Sequence, residues 1–418
     1  MSQNRQEDVK TPSYYVRKRI MKNRPAMLGL AFIVLAHIIA ILGYLIMPDS
    51  TPNANDGSAL IKKKHIGFEV TLLRIRKNRK IEKKNIIHKM YHGEESPYVI
   101  VPITNYRIDT NKLKVYFTRY GVDKTIDSAN LITVTTPIYV GSSDKMSKDD
   151  TKNYVVKGDS VTYLDLNEKV CKVSQTQIVE SFKANNIEER RFLLGTDKAG
   201  RDILSRLLFG ARISLSIGFI AVLISLFVGI TLGALAGFFG GLLDSFIMWL
   251  MTVVWSIPGI MLVIAISLAL QSKGIWVAFV AVGLTMWVDV ARVVRGQIIG
   301  IKEKQFVEAA RALGIGNMRI IFLHILPNMM GPLIVIATAN FASAILIEAG
   351  LSFLGLGVQP PMPSWGMMVN EGFRSIGSRD SGYLVVLPSL CISITVLAFN
   401  LLGNGLRDAY DPKTAVKW

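Results

Sequence analysis

The segment GTDKAGRD, residues 195–202, has the glycine spacing of a phosphate-binding loop. In such a loop the backbone cradles the phosphates, a lysine after the second glycine reaches them, and the following Ser or Thr binds Mg²⁺. Here Arg201 occupies the lysine position and Asp202 the hydroxyl position. Because a carboxylate at that point repels the phosphates, we predict that the chain binds no ATP itself.

The histidines and cysteines form no catalytic or metal-binding pattern. The five histidines are scattered, and the sequence has no HExxH, GxSxG or Cys–His spacing. Cys171 lies in a polar region and Cys391 in an apolar run, so neither a disulfide nor a thiolate metal site is expected. We predict a chain without catalytic residues, metal site or cofactor of its own. An enzyme hidden in the polar region has no residue pattern in its favour.

Two sets of charged residues lie in or beside long apolar segments, where ionisable groups are costly and often functional. Asp289 precedes Arg292 by three residues, which favours a structural ion pair on one helix face. Glu348 closes the fifth apolar segment. This carboxylate could be solvated at the helix end or could meet the amino group of a substrate, so Glu348 is our candidate for a substrate pathway.

Half of the 418 residues are hydrophobic, which is too apolar for an ordinary soluble enzyme of this size. Pro258 predicts a kink in the third of six apolar segments, and helices of a bundle tolerate such a kink. We predict an all-α polytopic membrane protein with six transmembrane helices of about 20 apolar residues each. The segments are residues 26–47, 213–236, 244–270, 275–294, 329–349 and 383–404.

The positive charge is interpreted as a marker of the cytoplasmic side. The formal net charge of +17 could suggest nucleic acid, but Lys and Arg are also concentrated in cytoplasmic loops. Both termini are predicted to be cytoplasmic, with residues 1–47 as a tail and retained first helix and residues 409–418 as a tail. The basic residues that flank the segments are Arg17, Lys18, Arg19, Lys22, Arg24, Arg292, Arg295, Lys302, Lys304, Arg311, Arg319, Arg407, Lys413 and Lys417.

Residues 48–191 form a polar region of domain size between the first two segments. Stretches such as YVIVPITNYRI and NLITVTTPIYVG are rich in β-branched and aromatic residues, which indicates strands. The region has 25 Lys and Arg against 18 Asp and Glu, yet parity places it outside, and long loops are translocated largely regardless of charge. We predict an inserted, mainly-β extracytoplasmic domain.

Between the fourth and fifth segments, residues 302–327 predict two short helices joined by a turn. The run QFVEAARAL favours a helix that Gly314 caps. Asn317 is a plausible N-cap for a second helix, which must end before Pro327. By composition alone this elbow could be a cytoplasmic connector, but its helix-forming residues and fixed glycine favour a docking element.

The elbow resembles the EAA loop of ABC-importer permeases. The matching residues are Glu308, Ala309, Ala310, Gly314, Leu326 and Pro327. His324 departs from the isoleucine of the general pattern, as in the peptide-transporter branch. The resemblance implies that the loop is a coupling helix resting in a groove of an ATP-hydrolysing subunit. There, the small residues Ala309 and Ala310 would permit close approach, and Glu308 would accept hydrogen bonds from the partner.

Further segments resemble the C-type permease subunit of dipeptide, oligopeptide and nickel importers. They are LLGTDKAGRDILSRLLFGARISLSIG, EAGLSFLGLGVQPPMPSWGMMV and NLLGNGLRDAYDP. The resemblance covers about residues 12–47 and 192–412 and leaves 48–191 uncovered. It implies a type I ABC-importer permease fold, with a permease domain over residues 192–408, in a bacterial cytoplasmic (inner) membrane.

The resemblance also implies partners and a solute. The partners would be a related permease subunit forming a heterodimer, two cytoplasmic ATPase subunits that hydrolyse ATP with Mg²⁺, an extracytoplasmic solute-binding protein and membrane lipid, with no nucleic acid. The solute would be a di- or oligopeptide, with nickel or glutathione left open. A membrane-anchored assembly or sensor protein that works through the β domain is the alternative from another class. The insertion itself could dock the binding protein or the partner permease, or could be a stabilising cap.

Overall fold

The computed structural model describes residues 12–82, 84–122, 125–143, 145–146, 153–272, 274–377 and 381–411. The chain divides into two compact units. The first, the helical unit, comprises Met1–Ala40, Gly210–Phe373 and Tyr383–Trp418. The second, the mixed unit, comprises Ile41–Phe209 and Arg374–Gly382.

The elements alternate between long apolar helices and one cluster of strands. The helices are α1 Pro12–Lys22, α2 Arg24–Ile46, α3 Ile86–His92, α4 Leu131–Thr135, α5 Gln175–Asn185, α6 Ile203–Phe239, α7 Gly241–Ser256, α8 Gly259–Ala269, α9 Ile275–Gly283, α10 Trp287–Ile301, α11 Gln305–Ala312, α12 Asn317–Arg319, α13 Met330–Phe353, α14 Trp365–Phe373 and α15 Tyr383–Tyr410. The strands are β1 Phe68–Arg76, β2 Tyr98–Asp109, β3 Lys114–Arg119, β4 Ile126–Asn130, β5 Tyr154–Lys157, β6 Ser160–Leu164, β7 Val170–Ser174 and β8 Ile187–Phe192.

In the described part of the chain, five helical stretches are long and apolar enough to cross a membrane. They are Arg24–Ile46, Ile203–Phe239, Ile275–Ile301, Asn317–Phe353 and Tyr383–Tyr410. Each overlaps one of the six predicted segments, but Ile203–Phe239 and Asn317–Phe353 begin at least ten residues before the predicted starts, and the stretch Ile275–Ile301 consists of two helices, α9 and α10. The helices α7 and α8 lie where the third segment was predicted, and they are bent by 96°, so a sixth crossing exists if this pair forms one span.

The third predicted segment is not a single kinked helix. Helix α7 ends at Ser256, and α8 begins at Gly259 with Pro258 as its N-cap. A proline restricts the preceding residue to extended conformations, and Ile257 accordingly has a ψ angle of 128°. The sequence predicted correctly that the helix is irregular at Pro258. It predicted a kinked but continuous helix, whereas the structure has two separate helices.

The contact between α6 and α10 is lined by glycines. Gly229, Gly233 and Gly237 lie one turn apart on α6 and face residues of α10. A β-carbon at Gly233 would lie 2.5 Å from the Ala291 carbonyl oxygen. Small residues at this spacing allow two helix backbones to approach closely, so the glycines set the distance between α6 and α10.

Charged side chains of α10 do not pair as predicted. Asp289 is exposed, and the Arg292 guanidinium stacks over the Trp255 ring at 4.0 Å, so the expected Asp289–Arg292 ion pair is not formed. Arg295, one turn further along, donates two 2.6 Å hydrogen bonds to Asp244 of α7. A cation–π contact and a bidentate ion pair therefore join α10 to α7.

The insertion folds as two antiparallel sheets with short helices. The larger sheet has the strand order β4-β3-β2-β1-β8 and the smaller β5-β6-β7. Helix α5 covers their core with Phe182, which is fully buried, and a capping box between Ser174 and Gln177 begins this helix. The prediction is confirmed for YVIVPITNYRI, which forms β2, but it is wrong for NLITVTTPIYVG, whose residues 131–135 form the helix α4 and whose remainder up to residue 141 is not a strand. Among the described residues of the insertion, the strands are accompanied by the helices α3 to α5.

The insertion begins and ends on neighbouring strands. Strands β1 and β8 are antiparallel partners, with Phe68 opposite Phe192. Both rings are buried in a small apolar cluster with Ile61. The chain therefore returns beside its point of departure before α6 begins.

Candidate coupling elbow and polar clusters

The turn of the elbow, residues 302–327, is built around Gly314. The Gly314 N–H donates to the Arg311 carbonyl at 2.9 Å and the Ile315 N–H to the Ala310 carbonyl at 3.1 Å, which is the Schellman pattern. Gly314 has a φ of +74°, and a β-carbon there would meet no atom within 4 Å. The glycine is therefore favoured by backbone conformation and not by lack of space, as the sequence predicted.

Helix α11 has one buried face and one exposed face. Val307 is fully buried and Ala310 is 5% exposed, and both join a cluster that includes Val294 of α10. Glu308 and Ala309 are exposed. The two alanines therefore do not form one outward face, because neighbouring helix residues point about 100° apart; the small-residue face that we predicted is divided.

The second arm of the elbow differs from the prediction. Gly316 is the N-cap, and Asn317 is the first helical residue. The helical path then continues through a π-helical stretch, Ile320–Ile325, and a 3₁₀ turn, Leu326–Met329, into α13. Pro327 does not end the path, because it occupies the second position of the tight turn, where its missing N–H costs little. Leu326 is half-buried and Pro327 is exposed.

Two cations hold the elbow against the end of α6. The Arg311 guanidinium lies 5.2 Å from the centre of the Phe238 ring. The Lys302 Nζ donates to the Gly237 carbonyl at 3.1 Å. The first arm of the elbow is thus fixed to α6 at its start by Lys302 and near the end of α11 by Arg311. The sequence did not indicate these two contacts, because the basic residues were interpreted only as topology markers.

Glu348 lies inside a cluster of three serines. Its carboxylate is fully buried and accepts hydrogen bonds from the hydroxyls of Ser352 at 2.7 Å and Ser214 at 3.3 Å, and from the side chain of Ser364. Solvation at a helix end was therefore the wrong expectation for this residue. In this conformation the carboxylate is enclosed, and its place in a substrate pathway stays a prediction.

The three serine hydroxyls are oriented so that each can donate its proton to the Glu348 carboxylate. Their oxygens already accept hydrogen bonds from backbone N–H groups: that of Val358 donates to Ser352, that of Trp365 to Ser214 and that of Met367 to Ser364. Each hydroxyl proton is then available for the carboxylate, which needs only donors. The cluster joins α6, α13 and the start of α14. Sequence reasoning could not find it, because Ser214 and Glu348 are 134 residues apart.

The phosphate-loop look-alike at residues 195–202 is structural. Gly195 and Gly200 have φ angles of +80° and +76°, and a β-carbon at either would overlap a backbone carbonyl, that of Lys64 or that of Ser58. The two glycines are thus explained by close backbone packing, which gives a structural reason for their spacing.

The charged side chains of the same segment form ion pairs and hydrogen bonds within the protein. The buried Asp197 carboxylate lies 2.7 Å from Arg201 Nε and 3.3 Å from Arg206 Nε. Asp202 accepts hydrogen bonds from the backbone N–H and the hydroxyl of Ser205, at 2.8 and 2.5 Å. Arg201 therefore neutralises a neighbouring carboxylate at the position where a phosphate loop has its lysine.

Comparison with known proteins gives two family matches. A family described as "Binding-protein-dependent transport system inner membrane component" matches residues 229–416. A second, "N-terminal TM domain of oligopeptide transport permease C", matches residues 11–60.

Individual relatives align over about half of this chain. The glutathione transport system permease protein GsiD of Pectobacterium atrosepticum is 44% identical over 53% of this chain and 72% of its own length. The di/tripeptide transport system permease protein DppC of Pseudomonas aeruginosa is 46% identical over 54% and 73%. The oligopeptide transport system permease protein OppC of Bacillus subtilis is 40% identical over 52% and 71%.

Among solved structures, an inward-facing MetNI methionine ABC transporter gives a TM-score of 0.42 at 19% identity, over 50% of this chain and 98% of that chain. The matches to families and relatives define a polytopic membrane subunit of a transport system. The chain belongs to the family of binding-protein-dependent transport system inner membrane components, as the relatives matched over more than two thirds of their length show.

Proposed function

We propose that this chain is the C-type permease subunit of an ATP-driven importer and forms half of the translocation pathway for di- and oligopeptides. The relatives described above are named for dipeptides, tripeptides, oligopeptides and glutathione. Because glutathione is itself a tripeptide, these names favour one chemical class of solute, short peptides, over nickel.

The observation that carries the proposal is the two-sided elbow. Val307 and Ala310 anchor α11 in the core of the helical unit, while Glu308 remains on the exposed side. Apolar side chains also stand out from the elbow: Phe306 is 43%, Leu313 80% and Met318 52% exposed. A short helix with an exposed acidic and apolar face suits a groove on a partner subunit.

The elbow is also suited to pass movement into the membrane. From Asn317 to Phe353 the path stays helical through the π-helical stretch and the 3₁₀ turn, and its α-helical part, α13, is roughly 36 Å long at 1.5 Å per residue. A displacement of the elbow would therefore be transmitted along α13, since a packed helix moves as a rigid element. The separate ATPase subunits would supply that displacement, consistent with a permease that has no ATPase site of its own.

The proposal also includes the partner subunits and the topology of the importer. The chain would pair with a related permease in a heterodimer, bind two ATPase subunits on the cytoplasmic side and receive solute from an extracytoplasmic binding protein. Both termini and the elbow would be cytoplasmic, and residues 48–191 would face outward, in a type I ABC-importer permease fold. Alternating access would then open the pathway to one side at a time.

Co-purification tests the docking role of the elbow. Glu308→Ala removes an exposed carboxylate of α11, and Glu303→Ala removes an exposed carboxylate of the same loop just before the helix. Loss of a hydrogen bond to a charged group costs about 1.5–3 kcal/mol, so Glu308→Ala should weaken ATPase binding by about ten- to a hundredfold, whereas Glu303→Ala should not. If both variants retain the ATPases equally, Glu308 makes no contact with them.

A further inference from the structure

The short helix α3 of the insertion has its apolar face directed away from its own domain. Ile86, Ile87, Met90 and Tyr91 fall within an arc of about 140° on a helical projection. Ile86 is 70%, Ile87 64% and Tyr91 51% exposed, and none of the seven residues of α3 is buried. The domain's own core therefore does not use this face.

The polar side of α3 is not the more exposed one: His88 and Lys89 are half-buried and His92 is exposed. His88 and His92 stack on each other with ring centres 4.6 Å apart, and both line an open cavity of about 720 Å³ that Lys80 and Lys84 also line. Lys89, on the same side, pairs with Glu94 at 3.0 Å. A helix on the surface of a water-soluble domain normally buries its apolar side, so the exposure of Ile86, Ile87 and Tyr91 suits an apolar environment outside the domain.

Helix α3 lies at the end of the first transmembrane helix. Its C-cap, Gly93, has a φ of +74°, and a β-carbon there would lie 2.7 Å from the Ser50 carbonyl oxygen and 2.8 Å from the Tyr44 ring. The Glu94 N–H donates to the same Ser50 carbonyl at 2.9 Å. Tyr44 belongs to the last turn of α2, so α3 is held at the level where α2 leaves the apolar layer.

The charge of the insertion is concentrated beside this helix. Residues 74–92 contain eight Lys and Arg and one acidic residue, Glu82, which accounts for the whole basic excess of residues 48–191. Four of these cations are paired: Arg74 with Glu188, Lys77 and Arg79 with Glu95, and Lys89 with Glu94. Lys80 and Lys84 are exposed. A basic segment joined to a helix with an exposed apolar and aromatic face is the composition of interfacial, membrane-bound helices.

We propose that residues 80–82 and 84–92 bind the bilayer surface on the side of the insertion, with Ile86, Ile87 and Tyr91 in the headgroup boundary and Lys80 and Lys84 on anionic phospholipid headgroups. The charge complementarity and the anchoring of Gly93 at the end of α2 favour lipid over a protein partner. The insertion is thereby held down on the membrane, whichever solute the transporter carries.

Fluorescence quenching in the full-length protein tests this binding. Cys171 and Cys391 are replaced with serine, a single cysteine is placed at Ile87, and an environment-sensitive dye is attached to it. A cysteine at Val170, an apolar residue of β7 that is 52% exposed, serves as the matched position. The proteins are reconstituted in phosphatidylcholine alone or mixed with phosphatidylglycerol, and quenching is measured with aqueous iodide and with a nitroxide lipid.

We expect the dye at position 87 to be quenched by the nitroxide lipid and shielded from iodide in the phosphatidylglycerol bilayer, while the dye at 170 is quenched by iodide. Lys80→Gln with Lys84→Gln should lower the docking equilibrium about thirtyfold, at about 1 kcal/mol per lysine. Equal iodide quenching at 87 and 170 overturns the proposal. Shielding that is the same without phosphatidylglycerol, or that arises only on addition of a protein partner, overturns the binding of anionic lipid.

Discussion

Gly233 on α6 faces the backbone of Ala291 on α10 so closely that a β-carbon would lie 2.5 Å from the Ala291 carbonyl oxygen and 2.8 Å from Cβ of Val294. Any side chain at this position must push the two helices apart. The neighbouring glycines of α6 face α10 in the same way, so this contact depends on the absence of side chains along one line of the helix.

Gly233→Leu should therefore destabilise the helical unit. Overpacking of a well-packed contact costs about 1–3 kcal/mol, which should be visible as a lower melting temperature of the purified protein in detergent. Gly296 of α10 is the matched control, since a β-carbon there meets nothing within 4 Å. Gly296→Leu should leave the melting temperature nearly unchanged. Equal effects of the two substitutions would show that α6 and α10 do not depend on this contact.

Replacement of Glu348 should separate the hydrogen-bonding role of its carboxylate from its volume. Glu348→Gln retains an acceptor for the serines, whereas Glu348→Leu leaves the hydroxyls of Ser214, Ser352 and Ser364 without one. A buried polar group without a partner costs about 1–3 kcal/mol, so the leucine variant should unfold at a clearly lower temperature than the glutamine variant. Adding Ser352→Ala to the leucine variant should recover part of the loss. Identical melting temperatures for Gln and Leu would contradict the assigned hydrogen bonds.

The pH dependence of stability should include a contribution from Asp56 in the mixed unit. Burial raises the pKa of Asp56 above its ordinary 3.8, reinforced by Asp49 and opposed by Arg190 and Lys77. The folded state therefore binds this proton more tightly than the unfolded chain does. Its favourable contribution is complete below pH 3.8 and is lost as the pH rises through the raised folded pKa.

Asp56→Asn removes the unfavourable contribution that the ionised Asp56 carboxylate makes to stability at high pH. The variant should therefore melt at a higher temperature than the parent at pH 7, and the difference should shrink as the pH is lowered towards 4. Asp159→Asn, at an exposed position, is the matched control for the loss of one carboxylate. A gain for Asp56→Asn that grows on acidification would reverse the sign derived from burial.

Local signals in the sequence predicted local structure, and long-range contacts set the rest. The Gly314 turn was predictable because a helix-forming run followed by glycine favours a left-handed cap. The separation of Ala309 from Ala310 was not, since which of two neighbours is buried depends on how α10 packs against α11. The enclosure of Glu348 depends on Ser214, 134 residues away, and no spacing in the sequence indicates such a contact.

The central claim is that the elbow couples ATP hydrolysis to transport, and the number of solute molecules imported per ATP hydrolysed tests it most directly. Gly314 and Gly316 are both exposed and have open space around a β-carbon, but only Gly314 has a positive φ. Alanine strains the backbone there by about 1–2 kcal/mol and adds no clash. In proteoliposomes with the ATPases and binding protein, Gly314→Ala should lower this ratio severalfold and Gly316→Ala should leave it unchanged. An unchanged ratio for Gly314→Ala, or equal losses for both variants, would contradict the account.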